Sequence, residues 1–333
     1  MIIARRGSPE KALEIRTLPD PAPGPDEVAI AVEAIGVNFA ETLARRGLYP
    51  GAPKIPYVPG FEVGGRITAV GSNVNDFKPG DDVLALLLQG GYADYVLARP
   101  EQVYRRPPGM SAADGAALPV QALTAWYALH ESGTVRPGDR VLIHAAAGGV
   151  GTAAVQLALA AGAIVFGTAG SDWKLEPLRK AGVQHPINYV THDYAAEIRR
   201  ITGGDGIDIV LDSLGGSHIA KGMALLRSGG RMASYGYAGQ SGSVLRMLLG
   251  FVTMKTLRTA YLLRDSQGFY GVNLVKLAEN PDRIRLRILE ILKLWTEGVL
   301  RPHIGATFPL AKVAKAHEAL ENRRTSGKVL LIP

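Results

Sequence analysis

The first third of the chain alternates short apolar runs with turns. β-rich runs occupy residues 27–34, 62–70, 82–87 and 92–98, and turn sequences such as Pro79-Gly80-Asp81 separate them. Short runs rich in Val, Ile and Leu that are bounded by Gly and Pro are typical of β-strands. The pattern up to about residue 108 therefore predicts a lobe resembling a β-barrel, with few helices.

The pattern changes near residue 111 to a repeated order of strand, loop and helix. We predict strands at residues 140–144, 163–168, 186–188, 207–212 and 231–235. This order predicts right-handed βαβ crossovers and a parallel sheet. An amphipathic helix is predicted at 283–296, and a final strand at 328–332 is expected to complete the first lobe. The predicted fold is α/β with two domains, one at 119–261 and a discontinuous one at 1–118 and 262–333.

A glycine loop joins the first strand of the second domain to a helix-forming run. The loop AAGGVG starts at Ala146, and the run after it ends at Gly162. Glycines at such a junction let the backbone approach a pyrophosphate and let the helix pack on the strand, while the first-turn N–H groups favour an anion. Ala146 replaces the first glycine of G-x-G-x-x-G, and a glycine-rich βα turn is the structural alternative. The predicted phosphate-binding residues are Gly148, Gly149, Val150 and Gly151.

The end of the next strand bears on which dinucleotide is bound. An NAD site places an acid there, on the ribose 2′-hydroxyl, whereas this chain has Thr168, Ala169 and Gly170. Without that acid a 2′-phosphate can be accepted, and Ser171 and Lys174 offer a hydroxyl and a cation. The cofactor prediction is therefore NADPH, although Asp172 lies nearby and Lys174 could instead be a solvated helix residue.

Composition excludes several other kinds of protein. The 333 residues include no cysteine, which excludes disulfides, thiolate catalysis and cysteine-ligated metal sites. The net charge of +7 comes from Lys and Arg spread along the chain, so we predict no nucleic-acid partner. No apolar run approaches the ~20 residues of a membrane span, and the N-terminus does not resemble a signal peptide. A cytoplasmic location is expected.

Three further segments, together with the glycine loop, carry a family resemblance. They are GVNFAE at 36–41, PGFEVGG at 59–65 and GAALPVQALTAWYAL at 115–129. With them the chain resembles, over essentially its whole length, the zinc-independent quinone oxidoreductases. That group includes zeta-crystallin and belongs to the medium-chain dehydrogenase/reductase superfamily. The resemblance implies a GroES-like catalytic domain built from both ends of the chain, and a Rossmann domain that binds NADPH.

The resemblance also implies roles for individual residues. Where zinc members of the superfamily carry a cysteine and a histidine, this chain has Asn38 and Phe61, so no metal site is expected, and Glu62 is interpreted as a buried structural carboxylate. The catalytic candidates are Asn38 and Tyr49, either of which could hydrogen-bond the developing oxyanion. The residues implied to hold NADPH, besides the glycine loop, are Asn38, Thr124, Gly170, Ser171, Lys174, Tyr189, Leu214, Tyr235 and Arg323.

A lobe without metal ligands suits acceptors that delocalise the incoming charge themselves. The predicted function is therefore NADPH-dependent reduction of quinones by hydride transfer. One alternative is an enoyl or 2-alkenal double-bond reductase. A less favoured alternative is a non-catalytic NADPH-binding protein similar to the vesicle-amine-transport homologues. The apolar segment at 245–263 resembles an edge strand with flanking helices, which predicts a homodimer.

Overall fold

The computed structural model describes residues 1–49, 51–240 and 259–333. It divides into two compact units, one formed by Met1–Gln121 and Val275–Pro333 and the other by Ala122–Leu274. Most of the segment used to predict a homodimer, 245–263, lies outside the described residues. No helix in the described part is long and apolar enough to cross a membrane.

The described strands and helices follow in chain order. The strands are β1 (Ile2–Ile3), β2 (Leu13–Glu14), β3 (Val28–Val37), β4 (Glu62–Val70), β5 (Asp82–Leu86), β6 (Tyr95–Ala98), β7 (Val103–Arg105), β8 (Arg140–Ile143), β9 (Ile164–Ala169), β10 (His185–Asn188), β11 (Ile207–Asp212), β12 (Leu226–Ser234), β13 (Gly268–Gly271), β14 (Ile304–Pro309) and β15 (Lys328–Ile332). The helices are α1 (Pro9–Ala12), α2 (Phe39–Arg45), α3 (Ala112–Ala117), α4 (Pro119–Trp126), α5 (Gly149–Ala160), α6 (Leu175–Lys180), α7 (Tyr194–Thr202), α8 (Ser217–Met223), α9 (Thr259–Asp265), α10 (Leu274–Leu277), α11 (Pro281–Thr296) and α12 (Val313–Glu321). A π-helical segment, Tyr127–Ser132, continues α4.

The first unit is built on a seven-stranded sheet with the order β14-β15-β3-β4-β5-β7, and β6 also pairs with β3. The C-terminal strand pairs antiparallel with β3, with Val329 opposite Val37 and Leu331 opposite Ile35, so it completes the first sheet as predicted. Inward-facing aliphatic side chains from these strands form one buried core. Helix α11 begins at the cap residue Asn280, whose side chain accepts the Arg283 N–H, and its apolar face is buried.

The second unit contains a parallel sheet with the order β10-β9-β8-β11-β12-β13, as the βαβ pattern predicted. The strand order reverses direction between β8 and β11, which in open α/β sheets marks the place where ligands bind beyond the carboxyl ends. Every residue of β11 is buried, which is the pattern of a central parallel strand covered on both faces. The two units therefore have the predicted architecture of a β-rich lobe completed by the C-terminal strand and a parallel α/β sheet.

Some element bounds differ from the sequence prediction. β12 begins at Leu226, five residues before the predicted start at 231. Leu226 pairs with Ile207, and regular pairing with β11 resumes at Arg231 after a register shift in which Gly229 takes a positive φ of 77°. The irregular stretch hides the start of the strand in the sequence pattern. β6 begins at Tyr95 instead of 92, since the Tyr92 N–H bonds to the loop carbonyl of Pro59. β13 and β14 were not predicted, because their short, partly exposed sequences lack a strong apolar pattern.

Candidate functional site

Asn38, the predicted catalytic residue of the first unit, is held by hydrogen bonds on both sides of its amide. Its Oδ1 accepts from Gln121 Nε2 at 2.7 Å and from Lys328 Nζ at 2.7 Å. Its Nδ2 donates to Glu62 Oε1 at 3.1 Å, and the side chain is buried. Because the two acceptor bonds and the donor bond leave one orientation of the amide, Asn38 is a fixed part of the lobe.

Glu62 and Lys328 form a buried ion pair beside this amide. The exposed fractions of the two side chains are 0% and 2%. The second oxygen of Glu62 accepts the Val120 N–H at 2.8 Å, so the carboxylate is bonded at both ends. A Cβ at Gly36 would lie 2.6 Å from Glu62 Oε1 and 2.3 Å from the Ala116 carbonyl oxygen, so only glycine leaves room for the pair. Glu62 has the buried structural position predicted for it.

A second buried acid, Glu41, connects Asn38 to a short polar chain. Glu41 Oε2 accepts the Asn38 N–H at 2.7 Å and the Tyr92 hydroxyl at 2.6 Å, and Tyr92 lies 3.1 Å from His317 Nε2. Burial raises the pKa of Glu41 to about 7, against the opposing effect of its hydrogen bonds. Burial lowers the pKa of His317 to about 3. The chain therefore consists of a carboxyl that titrates near neutrality and a histidine that stays neutral.

Tyr49, the other catalytic candidate, is half-buried next to the PGFEVGG segment. Its ring centroid lies 6.4 Å from that of Phe61. Burial, and then the charge of Glu41, raise the pKa of the Tyr49 phenol above its ordinary value. Tyr49 is thus an even weaker acid than a free phenol, although its O–H can still donate a hydrogen bond.

Potential metal ligands do not cluster in the described part of the chain. Across residues 1–49, 51–240 and 259–333, no group of three or more His, Cys, Asp or Glu is placed to hold a metal ion. The polar cluster around Asn38 instead contains two amides, one carboxylate and one ammonium, the last from Lys328. An ammonium donates hydrogen bonds and does not ligate metals while it is protonated.

The glycine loop of the second unit has the geometry that the sequence predicted. Gly148 is the extended cap of α5, and the helix starts directly after it. A Cβ at Gly151 would lie 2.3 Å from the Ala145 carbonyl oxygen and 2.6 Å from Ala146 Cα, so the helix packs against the loop backbone there. At Gly148 a Cβ would meet only the Ala145 oxygen, at 3.2 Å. The first-turn N–H groups of this twelve-residue helix therefore suit a pyrophosphate.

Three of the residues predicted for the 2′-phosphate, Ser171, Lys174 and Tyr189, follow the carboxyl ends of β9 and β10, whereas Arg323, also predicted for it, belongs to the first unit. The Tyr189 hydroxyl lies so close to Gly170 that a Cβ there would be 2.6 Å from it. The Lys174 ammonium lies 5.0 Å from the ring centroid of Trp173, on the single 3₁₀ turn Asp172–Lys174 that follows Ser171. A hydroxyl and an ammonium can both donate hydrogen bonds to phosphate oxygens. This end of the sheet therefore fits the 2′-phosphate of NADPH.

Leu214 and Tyr235 lie just beyond the neighbouring strands β11 and β12, as predicted. One buried acid, Asp212, organises both loops: its Oδ1 accepts the Leu214 N–H at 3.0 Å, and its Oδ2 accepts the Ser234 hydroxyl at 2.8 Å. The backbone carbonyl of Asp212 also accepts the Tyr235 N–H at 2.9 Å. The two loops are therefore fixed to each other.

The last two predicted cofactor residues belong to different units. Thr124 is buried within α4, in the second unit. Arg323 follows α12 in the first unit, and its φ of 57° is unusual for a residue with a side chain. Asn38 and Tyr49 also belong to the first unit, and the remaining predicted residues to the second.

Sequence reasoning missed several polar residues that shape these clusters, among them Glu41, Tyr92 and His317. Lys328 begins a buried apolar strand and Asp212 ends one. Each carried a signal, since a buried charge needs an ionic or hydrogen-bonding partner. Gln121 carried none, and neither did Asn188, whose Nδ2 donates to Asp172 Oδ1 at 2.7 Å, because buried amides inside ordinary segments resemble solvated ones in sequence.

His144, at the end of β8, makes the stability of the second unit sensitive to acid. Burial lowers its pKa to about 3, and the unfolded chain takes up that proton near the ordinary value for histidine. The unfolded state therefore binds more protons between these values, and acidification destabilises the fold, whereas Glu41 contributes with the opposite sign. Between about pH 7.5 and about pH 5.5 the His144 contribution to the free energy of unfolding falls by about 1 kcal/mol.

The test is urea unfolding of the wild type and His144→Asn at both pH values. Asparagine can still bond the Thr168 hydroxyl, which lies 3.0 Å from His144 Nδ1, but it does not titrate. We expect the variant to lose about 1 kcal/mol less than the wild type on acidification. Equal losses would mean that His144 is not the titrating group.

Comparison with known proteins identifies the family to which the chain belongs. The model of the alcohol dehydrogenase GroES-like domain matches residues 24–108, and that of zinc-binding dehydrogenase matches 149–274. The human synaptic vesicle membrane protein VAT-1 homolog is 38% identical over 326 residues, 96% of this chain and 82% of that protein. The 2-haloacrylate reductase of Burkholderia sp is 35% identical over 341 residues, covering 100% of this chain and 98% of that enzyme.

Among solved structures, the quinone oxidoreductase of Escherichia coli complexed with NADPH has a TM-score of 0.88 and 31% identity, covering 100% of this chain and 99% of that one. The fold, the glycine loop and these relatives define an oxidoreductase of the medium-chain dehydrogenase/reductase superfamily. Within it, the chain belongs to the zeta-crystallin-like quinone oxidoreductase subfamily, which confirms the resemblance found in the sequence.

Proposed function

We propose that this oxidoreductase reduces quinones with NADPH and does so without a metal. The observation that carries the proposal is the buried cluster around Asn38, where amides and the Lys328 ammonium surround the position at which zinc members have a cysteine ligand. The cofactor prediction is confirmed by the related quinone oxidoreductase of E. coli, which is complexed with NADPH. A quinone needs no Lewis acid, because its ring delocalises the charge that a hydride brings.

Bound NADPH supplies a hydride from C4 of its nicotinamide. The chain's own contribution is electrostatic and geometric: the Lys328 ammonium balances the Glu62 carboxylate, so the lobe around Asn38 carries no uncompensated negative charge from Glu62. Glu62 therefore does not repel a developing quinol oxyanion, and Glu41, whose pKa burial raises to about 7, is partly protonated near neutrality. The fixed amide of Asn38 contributes a stable dipole that does not reorganise during the reaction.

Tyr49 is proposed to shape the acceptor site and to donate a hydrogen bond. Because its pKa is raised, the phenol stays protonated near neutrality and does not release its proton to the product. Water then supplies the proton to the quinol oxygen. This assignment keeps Tyr49 as an orienting group and assigns no proton transfer to it.

Reduction of a conjugated carbon–carbon double bond is the second candidate. The observation in its favour is the 2-haloacrylate reductase of Burkholderia sp, which matches this chain over its whole length. An enoyl or 2-alkenal acceptor also delocalises incoming charge onto a carbonyl oxygen, so the same residues serve both reactions.

NADPH oxidation against a panel of quinones, 2-alkenals, enoyl thioesters and simple ketones separates these candidates. We expect the highest kcat/KM with quinones and negligible turnover of simple ketones. A higher kcat/KM with alkenals or enoyl thioesters would replace the quinone proposal with the double-bond reductase. Turnover of simple ketones alone would contradict both.

Lys174→Ala tests the proposed 2′-phosphate site. Removing the ammonium should raise KM for NADPH about tenfold, a value in the range expected for one charge-assisted contact, and leave KM for NADH nearly unchanged. The matched control is Lys180→Ala, which removes a lysine from the end of α6, six residues further along the chain. Equal effects of Lys174→Ala on both cofactors would place the 2′-phosphate elsewhere.

The homodimer and the cytoplasmic location stay predictions. Sedimentation at micromolar concentration checks the first, since a monomeric mass would contradict it.

A further inference from the structure

Asp172 is the acid that stands next to the donors proposed for the 2′-phosphate. It begins the 3₁₀ turn that ends at Lys174, and its side chain is exposed. A carboxylate at this end of a Rossmann sheet is the group that favours NADH, because it accepts a hydrogen bond from the ribose 2′-hydroxyl and repels a 2′-phosphate. An NADPH site therefore has to keep this charge away from the phosphate.

Asn188 holds the carboxylate of Asp172. Its Nδ2 donates to Asp172 Oδ1 at 2.7 Å, and its own Oδ1 accepts the Val190 N–H at 2.9 Å. The Asn188 side chain is buried at the end of β10, where the residue pairs with Ala169. Because both ends of the amide are bonded, it presents its N–H group to Asp172 in one direction.

Asn188 is the last residue of β10, and Tyr189 follows the strand directly. Tyr189 packs against the core cluster that contains Ile187, two residues earlier. Since side chains alternate between the faces of a strand, Asn188 projects from the face of β10 opposite to Ile187. The Asp172 carboxylate is therefore bonded to a side chain on the face opposite to Ile187, whereas the Tyr189 hydroxyl, which comes from a ring packed against the Ile187 cluster, lies beside Gly170.

We propose that Asn188 sets the preference for NADPH over NADH by holding Asp172 away from the 2′-phosphate. Asn188 is a positioning residue that acts through Asp172. Without its amide, the carboxylate can turn towards the Tyr189 hydroxyl and the Lys174 ammonium, the donors that the phosphate would use. Like charges a few ångströms apart near a protein surface repel each other, so a carboxylate released towards these donors would weaken NADPH binding and leave NADH binding favoured.

The inference rests on the proposed 2′-phosphate site and is independent of which acceptor the enzyme reduces. The experiment measures Kd for NADPH and for NADH from the quenching of tryptophan fluorescence, with no acceptor present. The variants are Asn188→Ala, Asp172→Asn, their double combination and Lys174→Ala. Asn188→Ser is included because its hydroxyl can still accept the Val190 N–H but is too short to reach Asp172, so it keeps the test available if the alanine variant does not fold.

We expect Asn188→Ala and Asn188→Ser to raise the ratio of Kd for NADPH to Kd for NADH about fivefold to tenfold. In the Asp172→Asn background the same substitutions should change the ratio by less than about twofold, because no charge remains to be released. A general loss of structure would raise both Kd values together and leave the ratio unchanged.

Two results would overturn the inference. The first is an unchanged ratio in Asn188→Ala and Asn188→Ser, and the second is an equal change of the ratio with and without Asp172. If Lys174→Ala weakens NADPH binding in the same titrations, only the role of Asn188 is wrong. If Lys174→Ala leaves the ratio unchanged as well, the proposed 2′-phosphate site itself is wrong.

Discussion

Replacing Lys328 with methionine is expected to lower the free energy of unfolding by about 3–5 kcal/mol. The substitution keeps an unbranched side chain that is one atom shorter, leaves the Glu62 carboxylate buried without its counterion, and removes one of the two donors to Asn38 Oδ1. A buried carboxylate that loses its cation retains the full cost of desolvation, because water cannot reach it. Urea unfolding followed by circular dichroism measures the change.

The matched control is the double variant Glu62→Gln/Lys328→Met. It removes both charges and keeps a side chain of similar size at position 62, so most of the lost stability should return. A loss of less than about 1 kcal/mol in Lys328→Met would contradict the buried ion pair. Equal instability of the single and double variants would show that packing, and not charge, sets the effect.

Adding one methyl group at Gly151 is expected to weaken both the fold and NADPH binding. The new Cβ would lie 2.3 Å from the Ala145 carbonyl oxygen and 2.6 Å from Ala146 Cα, so α5 has to move away from the loop. Forced overpacking against backbone should cost about 1–3 kcal/mol of stability. The displaced helix carries the first-turn N–H groups proposed for the pyrophosphate, so Kd for NADPH should rise at least about tenfold.

Gly148→Ala is the matched comparison for Gly151→Ala. Its Cβ would meet only the Ala145 oxygen, at 3.2 Å, and its φ of −83° is open to alanine, so stability should change by less than about 1 kcal/mol. NADPH binding should still weaken, because the methyl group occupies the face from which the pyrophosphate approaches. Equal losses of stability in the two variants would contradict this assignment, in which Gly151 is needed for packing of the helix and Gly148 for close approach of the pyrophosphate.

The architecture could be read from the sequence because its signals are local. Apolar runs such as the one that became β11 mark buried parallel strands, and the AAGGVG loop occurs where a strand passes into a helix. The C-terminal strand was also predicted, since Lys328–Ile332 is an isolated apolar run at the end of the chain. Strands such as β14, which alternates half-buried and exposed residues, lack that contrast and were missed.

The candidate clusters were only partly predictable, because their hydrogen bonds join residues far apart in the chain. The bond between Lys328 and Asn38 spans 290 positions, and that between Gln121 and Asn38 spans 83. Nothing local distinguishes these side chains from solvated ones. The motif around Asn38 indicated a candidate catalytic residue, but the cation beside it is brought there only because the two ends of the chain pair in one sheet.

The raised pKa of Glu41 has the same origin. Its sequence neighbours resemble an ordinary helix start, in which an acid three residues after the cap bonds back to the cap N–H. What brings its pKa to about 7 is burial beneath Tyr92 and the segment around Phe61, which approach from other parts of the sheet. Environment of this kind is set by the tertiary fold and has no signature along the chain.

Quinone reduction by chelator-treated protein distinguishes a metal-free reductase from a zinc enzyme. The enzyme would be dialysed against a strong chelator, its zinc content measured by mass spectrometry, and its oxidation of NADPH by a quinone compared with that of untreated and zinc-supplemented protein. We expect the same kcat/KM in all three samples, with zinc far below one ion per chain. Loss of activity on chelation that zinc restores would contradict metal-free reduction.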